Sequence, residues 1–143
     1  MEMGTHDIGS MVRLKKYLQR FLPDTRKKYV GWTNICFFRT PTARELPCED
    51  IALCVPVFLE LMDIISPSAI ISVSDAVRKH LKPHLLKETR GRSVPMGQHS
   101  FTPIRAVLAR DRRETPILFL PHPARPMRRD YRDECWAYCF SNG

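Results

Sequence analysis

The chain has 143 residues, of which 43% are hydrophobic and 27% are charged, the size and composition of one globular domain. These values exclude an intrinsically disordered chain, and no apolar run reaches the roughly 20 residues that a membrane-spanning helix needs. The formal net charge of +8 and the isoelectric point near 9.6 favour a polyanionic partner. We place nucleic acid ahead of a merely solubilising surface because arginines bracket a candidate site.

Cysteine usage and the first residues indicate the compartment. The five cysteines are an odd number, and residues 1–10 lack the basic start and apolar stretch of a signal peptide. We therefore expect reduced thiols in a cytoplasmic protein, associated with the nucleoid or located in a nucleus if the host has one. No membrane partner is expected, and the oligomeric state stays open.

Apolar periodicity, caps and prolines predict an alternation of helices and strands along a single domain, 1–143. Residues 39–47 and 91–102 are expected to be loops because they carry polar, glycine and proline residues. The expected elements are a helix over 10–22 capped by Ser10, a strand over 29–38, a helix from Glu49 to Ile65, a strand over 69–73, a short helix from Ser74 to Leu81, strands over 104–108 and 116–120, and a helix over 129–140.

This order predicts an α/β fold in which helices flank a short, mostly parallel sheet. Ligands of such sheets bind beyond the carboxyl ends of the strands. That rule selects two polar residues at strand ends, Asn34 and His122. The segment 117–125, which contains His122, is therefore the expected functional edge of the sheet.

Two segments together carry a family resemblance. The first is the stretch 31–41 (Gly-Trp-Thr-Asn-Ile-Cys-Phe-Phe-Arg-Thr-Pro) with Arg44 and the helix start 49–56, and the second is 120–124 (Leu-Pro-His-Pro-Ala). In both, the chain resembles the uracil-DNA glycosylase superfamily, most closely its small bacterial and archaeal iron–sulfur branch. The resemblance covers about residues 10–139 and implies a three-layer α/β/α fold.

The resemblance implies hydrolysis of the N-glycosidic bond of uracil or another deaminated base in DNA, as in base excision repair. Such an enzyme takes the base out of the helical stack. Asn34 matches the asparagine that reads the edge of uracil, which an amide can match with both donor and acceptor groups. His122 matches the histidine that stabilises the departing uracil anion. A turn asparagine and an ordinary loop histidine are the alternatives.

DNA is the partner that the resemblance implies. The family loop that follows the histidine enters the minor groove, which makes Arg125, Arg128 and Arg129 the expected DNA contacts. The branch has an aromatic residue where this chain has Arg125.

The chain departs from the family at two points. The glycine-rich first strand with its water-positioning residue has no counterpart before residue 10, so we expect an N-terminally incomplete domain. Of the four cluster cysteines only Cys54 is matched, and Phe38 stands at another position. We therefore expect no cluster, no metal and no small-molecule cofactor. The alternatives to an active glycosylase are an inactive DNA-binding domain and a truncated remnant.

Two other groups of residues suggest a metal site and a nucleophile, and each has a simpler interpretation. Cys135 and Cys139, with His80 and His84, would form a zinc site, but their spacing is not that of a structural zinc pair, and buried thiols are the commoner explanation. Ser72 and Ser74 lie near a strand end without the glycines of a nucleophile elbow. A helix cap is the preferred interpretation there.

Overall fold

The computed structural model describes residues 5–22 and 48–141. Within these ranges the chain forms four α-helices, six strands and one short 3-10 turn over Lys82–His84. In chain order the helices and strands are α1 (Thr5–Phe21), α2 (Cys48–Ile65), β1 (Ile70–Ser72), α3 (Asp75–Leu81), β2 (Leu85–Arg90), β3 (Val94–Met96), β4 (His99–Phe101), β5 (Ile104–Arg110), β6 (Arg113–Phe119) and α4 (Arg129–Phe140).

Four of these strands form one mixed sheet in the order β1–β6–β5–β2. β1 runs parallel to β6, and its Ile71 pairs with Leu118. β5 is antiparallel to both of its neighbours, β6 and β2. The strands β3 and β4 form a separate hairpin, whose turn contains Gly97 at a φ of +61°. Glycine adopts this left-handed conformation without the steric cost that a side chain would add.

The α/β class is confirmed, but the expected mostly parallel sheet is wrong for the strands that the structure describes. Two of the three pairings in the four-stranded sheet are antiparallel. Only Asp111 and Arg112 join β5 to β6. So short a connection permits an antiparallel pair alone, because a parallel crossover needs about a dozen residues or more.

Most of the expected elements in the described ranges are confirmed. The run 69–73 forms the parallel strand β1, and the last helix spans 129–140 as expected. The first helix begins at Thr5, so Ser10 lies inside it and is not its cap. Residues 5–10 contain no proline, so nothing of that kind prevents the helix from starting before Ser10. The expected strand over 29–38 and the loop over 39–47 lie outside the described residues.

The expected loop over 91–102 is wrong because it contains β3 and β4. Buried Val94 and Met96 alternate with exposed Pro95, which is the pattern of a half-buried strand. Proline is tolerated because a two-stranded hairpin has only edge strands. The strand β2 was also not expected from the sequence, since its charged side chains are those of an exposed edge.

Alternate residues of β6 enter two different hydrophobic clusters. Leu118 packs with α1, α4 and the β3–β4 hairpin, whereas Ile117 and Phe119 pack with α2 and α3. Because successive side chains of a strand point to opposite faces, the two pairs of helices cover opposite faces of the sheet. The first cluster is the one beside the His122 segment, and its buried members on the two helices are Leu14, Tyr17, Leu18, Cys135, Trp136 and Cys139.

Candidate nucleic-acid interface

The segment after β6 forms a tight turn over residues 122–125, which we call the His122 loop. The amide of Arg125 donates to the carbonyl oxygen of His122 at 3.0 Å. Pro121 and Pro123, on either side of the histidine, are buried. Since proline fixes φ, these two residues restrict the direction in which the loop leaves the sheet.

The imidazole of His122 is held in one tautomer by its own loop. Its Nδ1 accepts a hydrogen bond from the amide of Ala124 at 3.0 Å. Burial of part of the ring, followed by the charges of Arg125 and Arg132, lowers the pKa of His122 below its ordinary value. A neutral imidazole that accepts at Nδ1 carries its proton on Nε2. His122 is an exposed residue, and in this tautomer its neutral ring has a hydrogen-bond donor at Nε2.

Two arginines from different helices hold the backbone of the His122 loop. Arg132 of α4 donates to the carbonyl oxygens of His122, at 3.1 Å, and Arg125, at 2.8 Å. Arg13 of α1 donates to the carbonyl oxygen of Pro123. Arg132 is only 3% exposed. Burial, and next the charge of Arg13, lowers the pKa of its guanidinium. The position of the loop therefore depends on both helices.

Beside the loop, α1 and α4 line a groove of about 390 Å³, which we call the basic groove. Five of its lining residues are cationic and one is a carboxylate, so the groove has a strong excess of positive charge. The lining residues are Arg13, Lys16, Tyr17, Arg20, Met127, Arg129, Arg132 and Asp133.

The carboxylate in the basic groove is engaged by residues of α1. Asp133 accepts a hydrogen bond from the hydroxyl of Tyr17 at 2.7 Å and lies 3.3 Å from Arg20. Burial and then the hydrogen bond to Asp133 raise the pKa of Tyr17 to about 12. Asp133 thus offsets Arg20 on one side of the groove and leaves the remaining cations in excess.

The structure places the three arginines that the sequence predicted as DNA contacts in different surroundings. Arg129 lines the basic groove. Arg125 contributes its carbonyl oxygen to the contact with Arg132, and its guanidinium is not part of the groove lining. Arg128 pairs with Asp130 at 2.8 Å and lies over the ring of Tyr131, 4.8 Å from its centroid. The guanidinium of Arg128 is therefore already paired with a carboxylate and stacked on an aromatic ring.

Asn34 lies outside the described residues, so its pairing with His122 stays a prediction. The sequence indicated the charge clusters but did not single out Arg13, Lys16 and Arg132, which line the basic groove. A signal for the first two was present, because Arg13, Lys16 and Arg20 are three and four residues apart and so share one face of a helix. No comparable signal marked the burial of Arg132.

The cysteines that suggested zinc lie in the core. Cys135 and Cys139 are buried in the cluster between α1 and α4. Burial raises the pKa of Cys135 to about 11 and that of Cys139 to about 12, which disfavours the thiolate that a metal requires. Among the described residues, no three histidine, cysteine or acidic side chains are grouped as metal ligands.

Ser74 precedes α3 with extended dihedral angles, but its side chain makes no capping hydrogen bond. The predicted helix start is confirmed, whereas capping by the Ser74 hydroxyl is wrong. Ser72 Oγ lies 3.5 Å from the amide and the carbonyl oxygen of Ser74, the outer limit of hydrogen bonding.

No family model, no curated protein and no solved structure matches the chain. In the part of the chain that the structure describes, no helix is both long enough and apolar enough to cross a membrane.

Proposed function

We propose that this protein binds DNA, and that the basic groove is the surface that receives the phosphate backbone. The observation that carries the proposal is the convergence of five cationic side chains from two helices on one groove beside the His122 loop. Phosphate oxygens are the usual partners of arginine and lysine at nucleic-acid interfaces, and they supply most of the affinity. Of the four arginines in the groove, Arg20 pairs with Asp133, and Arg13 and Arg132 each donate to loop carbonyl oxygens. Arg129 lines the groove as an exposed guanidinium, whose planar fork of donors suits a phosphate.

The charge of the basic groove is unlike that of a second surface cavity in the described part of the chain. That second cavity, about 310 Å³ in volume, lies at the β5–β6 turn and contains equal numbers of arginines and carboxylates. With equal numbers of positive and negative groups, this cavity has no excess of charge to attract a polyanion. The basic groove, by contrast, holds five cationic side chains against one carboxylate and so presents a local positive field.

The test is the affinity for fluorescently labelled oligonucleotides, one single-stranded oligothymidylate of about ten nucleotides and one duplex of about the same length. We expect the double variant Lys16→Gln/Arg129→Gln to bind about tenfold more weakly than wild type at low salt. The matched control, Lys79→Gln/Arg112→Gln, also removes one exposed lysine and one exposed arginine, outside the groove. Equal losses in both variants, or no binding of either probe by wild type, would refute the proposal.

Catalysis at the His122 loop is the second candidate function, and the tautomer of His122 favours it. We propose a three-layer, uracil-DNA glycosylase-like arrangement in which Asn34 reads the base and His122 stabilises the departing uracil anion. A neutral Nε2–H donor suits a developing anion, because it stabilises charge without needing a proton to be taken up first. The helices on both faces of the sheet support this arrangement.

Cleavage of a uracil-containing oligonucleotide by enzyme in excess tests this second candidate. An active protein releases uracil and leaves an abasic site, and His122→Ala abolishes most of that activity. An inactive DNA-binding domain gives no abasic product, while its DNA affinity survives His122→Ala within about twofold, since the groove cations supply the binding. The two outcomes separate the catalytic proposal from the binding proposal.

A further inference from the structure

Arg13 and Arg132 differ from the other cations of the basic groove because they also contact the His122 loop. Each donates to backbone carbonyl oxygens of the loop, whereas Lys16 and Arg129 line the groove without a hydrogen bond to the loop. The same two guanidinium groups therefore line the surface that would bind phosphate and also hold the backbone of the loop that carries His122. They connect the basic groove to the His122 loop.

Arg132 is a buried charge whose partners, among the described residues, are neutral. It is 3% exposed, and its two hydrogen bonds go to carbonyl oxygens. Within the described ranges no carboxylate lies at ion-pair distance from it, and the groove carboxylate, Asp133, is engaged by Tyr17 and Arg20. A buried guanidinium is costly unless an anion pairs with it. The depressed pKa of Arg132 has the same origin.

The guanidinium of Arg132 retains capacity for a ligand. An arginine has five N–H donors, and the carbonyl oxygens of the loop use two of those on Arg132. Arg13 uses one on Pro123. The remaining donors belong to groups that line the basic groove, where a phosphate oxygen would accept them and supply the missing negative charge.

We propose that Arg13 and Arg132 are positioning residues that couple phosphate binding to the His122 loop. A DNA phosphate in the basic groove pairs with both guanidinium groups, and each group then holds the loop carbonyls in one place. The ligand class is a phosphodiester, and the consequence is a histidine fixed when DNA is bound. This inference rests on the proposed DNA binding.

Hydrogen exchange of two loop amides measures this coupling. The amides of Ala124 and Arg125 are bonded to Nδ1 and the carbonyl oxygen of His122, so their exchange reports whether the turn is closed. Exchange is followed by NMR for each variant, free and saturated with whichever of the two oligonucleotides above binds more tightly. In wild type we expect bound DNA to slow both amides about threefold or more.

The variants separate positioning from simple charge. Lys16→Gln removes a groove charge that does not touch the loop, so at saturation it keeps the full slowing. Arg13→Gln removes the same charge together with one loop contact, and we expect the slowing to fall by about half. Arg132→Lys keeps the charge but replaces the two separate nitrogens that reach the two carbonyl oxygens with a single ammonium, so we expect the slowing to fall below about twofold. If Arg132→Lys fails to fold, the exposed Arg13 and Lys16 still provide the comparison.

A merely structural role would change exchange in the free protein and leave the ratio of free to bound rates as in wild type. The coupling is therefore refuted if oligonucleotide binds but does not slow the two amides, or if Arg13→Gln and Lys16→Gln retain the same slowing. If neither oligonucleotide binds wild type, the proposed function fails, and the coupling fails with it.

Discussion

The guanidinium of Arg132 donates a 3.1 Å hydrogen bond to the carbonyl oxygen of His122, ten residues earlier in the chain. This contact ties the loop at the end of β6 to the first half of α4. Since α4 packs against α1 through the same core cluster, the histidine is positioned by helix packing as well as by its flanking prolines. The stability of that packing is therefore the first property to test.

Trp136 is the centre of the packing between α1 and α4. It is 1% exposed, and its ring stacks on Tyr17, Phe21 and Phe140 at centroid distances of 5.1, 5.8 and 5.7 Å. We expect Trp136→Ala to lower the free energy of unfolding by about 3–5 kcal/mol, because it leaves a cavity and removes the stacked contacts. Urea denaturation followed by circular dichroism measures the change.

The control for this variant is Leu53→Ala on α2. Leu53 is 69% exposed, so its truncation changes the free energy of unfolding by no more than about 0.5 kcal/mol. Similar losses in the two variants would contradict the packing described between α1 and α4.

The neutral state of His122 predicts a titration below the ordinary midpoint. Burial and two arginines lower its pKa, so the NMR midpoint of this imidazole lies below 6.5. As the pH decreases, His122 takes up a proton in the unfolded chain before it does so in the folded protein. The contribution of the neutral ring to the free energy of unfolding is therefore complete above about pH 6.5 and is lost as the pH falls below it. Arg125→Gln removes one of the charges and moves the midpoint upward. A midpoint above 6.5, or ring nitrogen shifts that show the proton on Nδ1, would contradict the geometry.

The thiols of Cys135 and Cys139 are expected to resist alkylation. Both are buried, and their pKa values are raised to about 11 and about 12, so the reactive thiolate is scarce at neutral pH. Iodoacetamide should label the two positions only after denaturant is added, as measured by mass spectrometry of the peptide that contains them. Rapid labelling of the native protein would show that α4 does not bury this face.

Lys87 has the backbone conformation of a glycine. Its φ is 53°, at the irregularity between Leu86 and Thr89 where β2 pairs with β5. The left-handed region costs a residue with a side chain about 1–2 kcal/mol, partly offset by the greater freedom of glycine in the unfolded chain. Lys87→Gly should therefore stabilise the protein by about 0.5–1 kcal/mol in urea denaturation.

Lys79→Gly is the matched control for that substitution. It removes the same charge from an exposed position inside α3, where glycine costs about 1 kcal/mol. If both substitutions destabilise the protein equally, the left-handed conformation at Lys87 is wrong.

The sequence predicted those helices and strands whose apolar pattern or terminating residues lie within the element itself. The helix over 129–140 and the strand over 69–73 have clear apolar patterns, and Ser66-Pro67 ends α2 where expected, at a serine with a φ of 52°. The sheet was expected to be mostly parallel because helices and strands alternate along the chain, but the last two strands, expected over 104–108 and 116–120, follow each other without a helix between them. In the structure only residues 111 and 112 separate these two strands, and so short a connection allows only an antiparallel pair.

The site was less accessible from sequence than the fold. Arg132 is one of four arginines between 125 and 132, and nothing local distinguishes it from the exposed Arg128. Its burial arises from contacts with loop carbonyls ten and seven residues away. Arg13 reaches Pro123 across 110 residues of sequence, a contact that only the tertiary fold creates. His122 lies just beyond the end of β6, as its place in the sequence predicted, while its tautomer required the distance to Ala124.

The salt dependence of DNA affinity tests the central claim most directly. Each phosphate contact adds about 0.9 to the slope of log affinity against log salt concentration for duplex DNA, so removing two groove cations should reduce that slope by about two. The account predicts this reduction for Lys16→Gln/Arg129→Gln and an unchanged slope for Lys79→Gln/Arg112→Gln. Equal slopes in wild type and both variants would contradict the assignment of the α1–α4 groove as the DNA-binding surface.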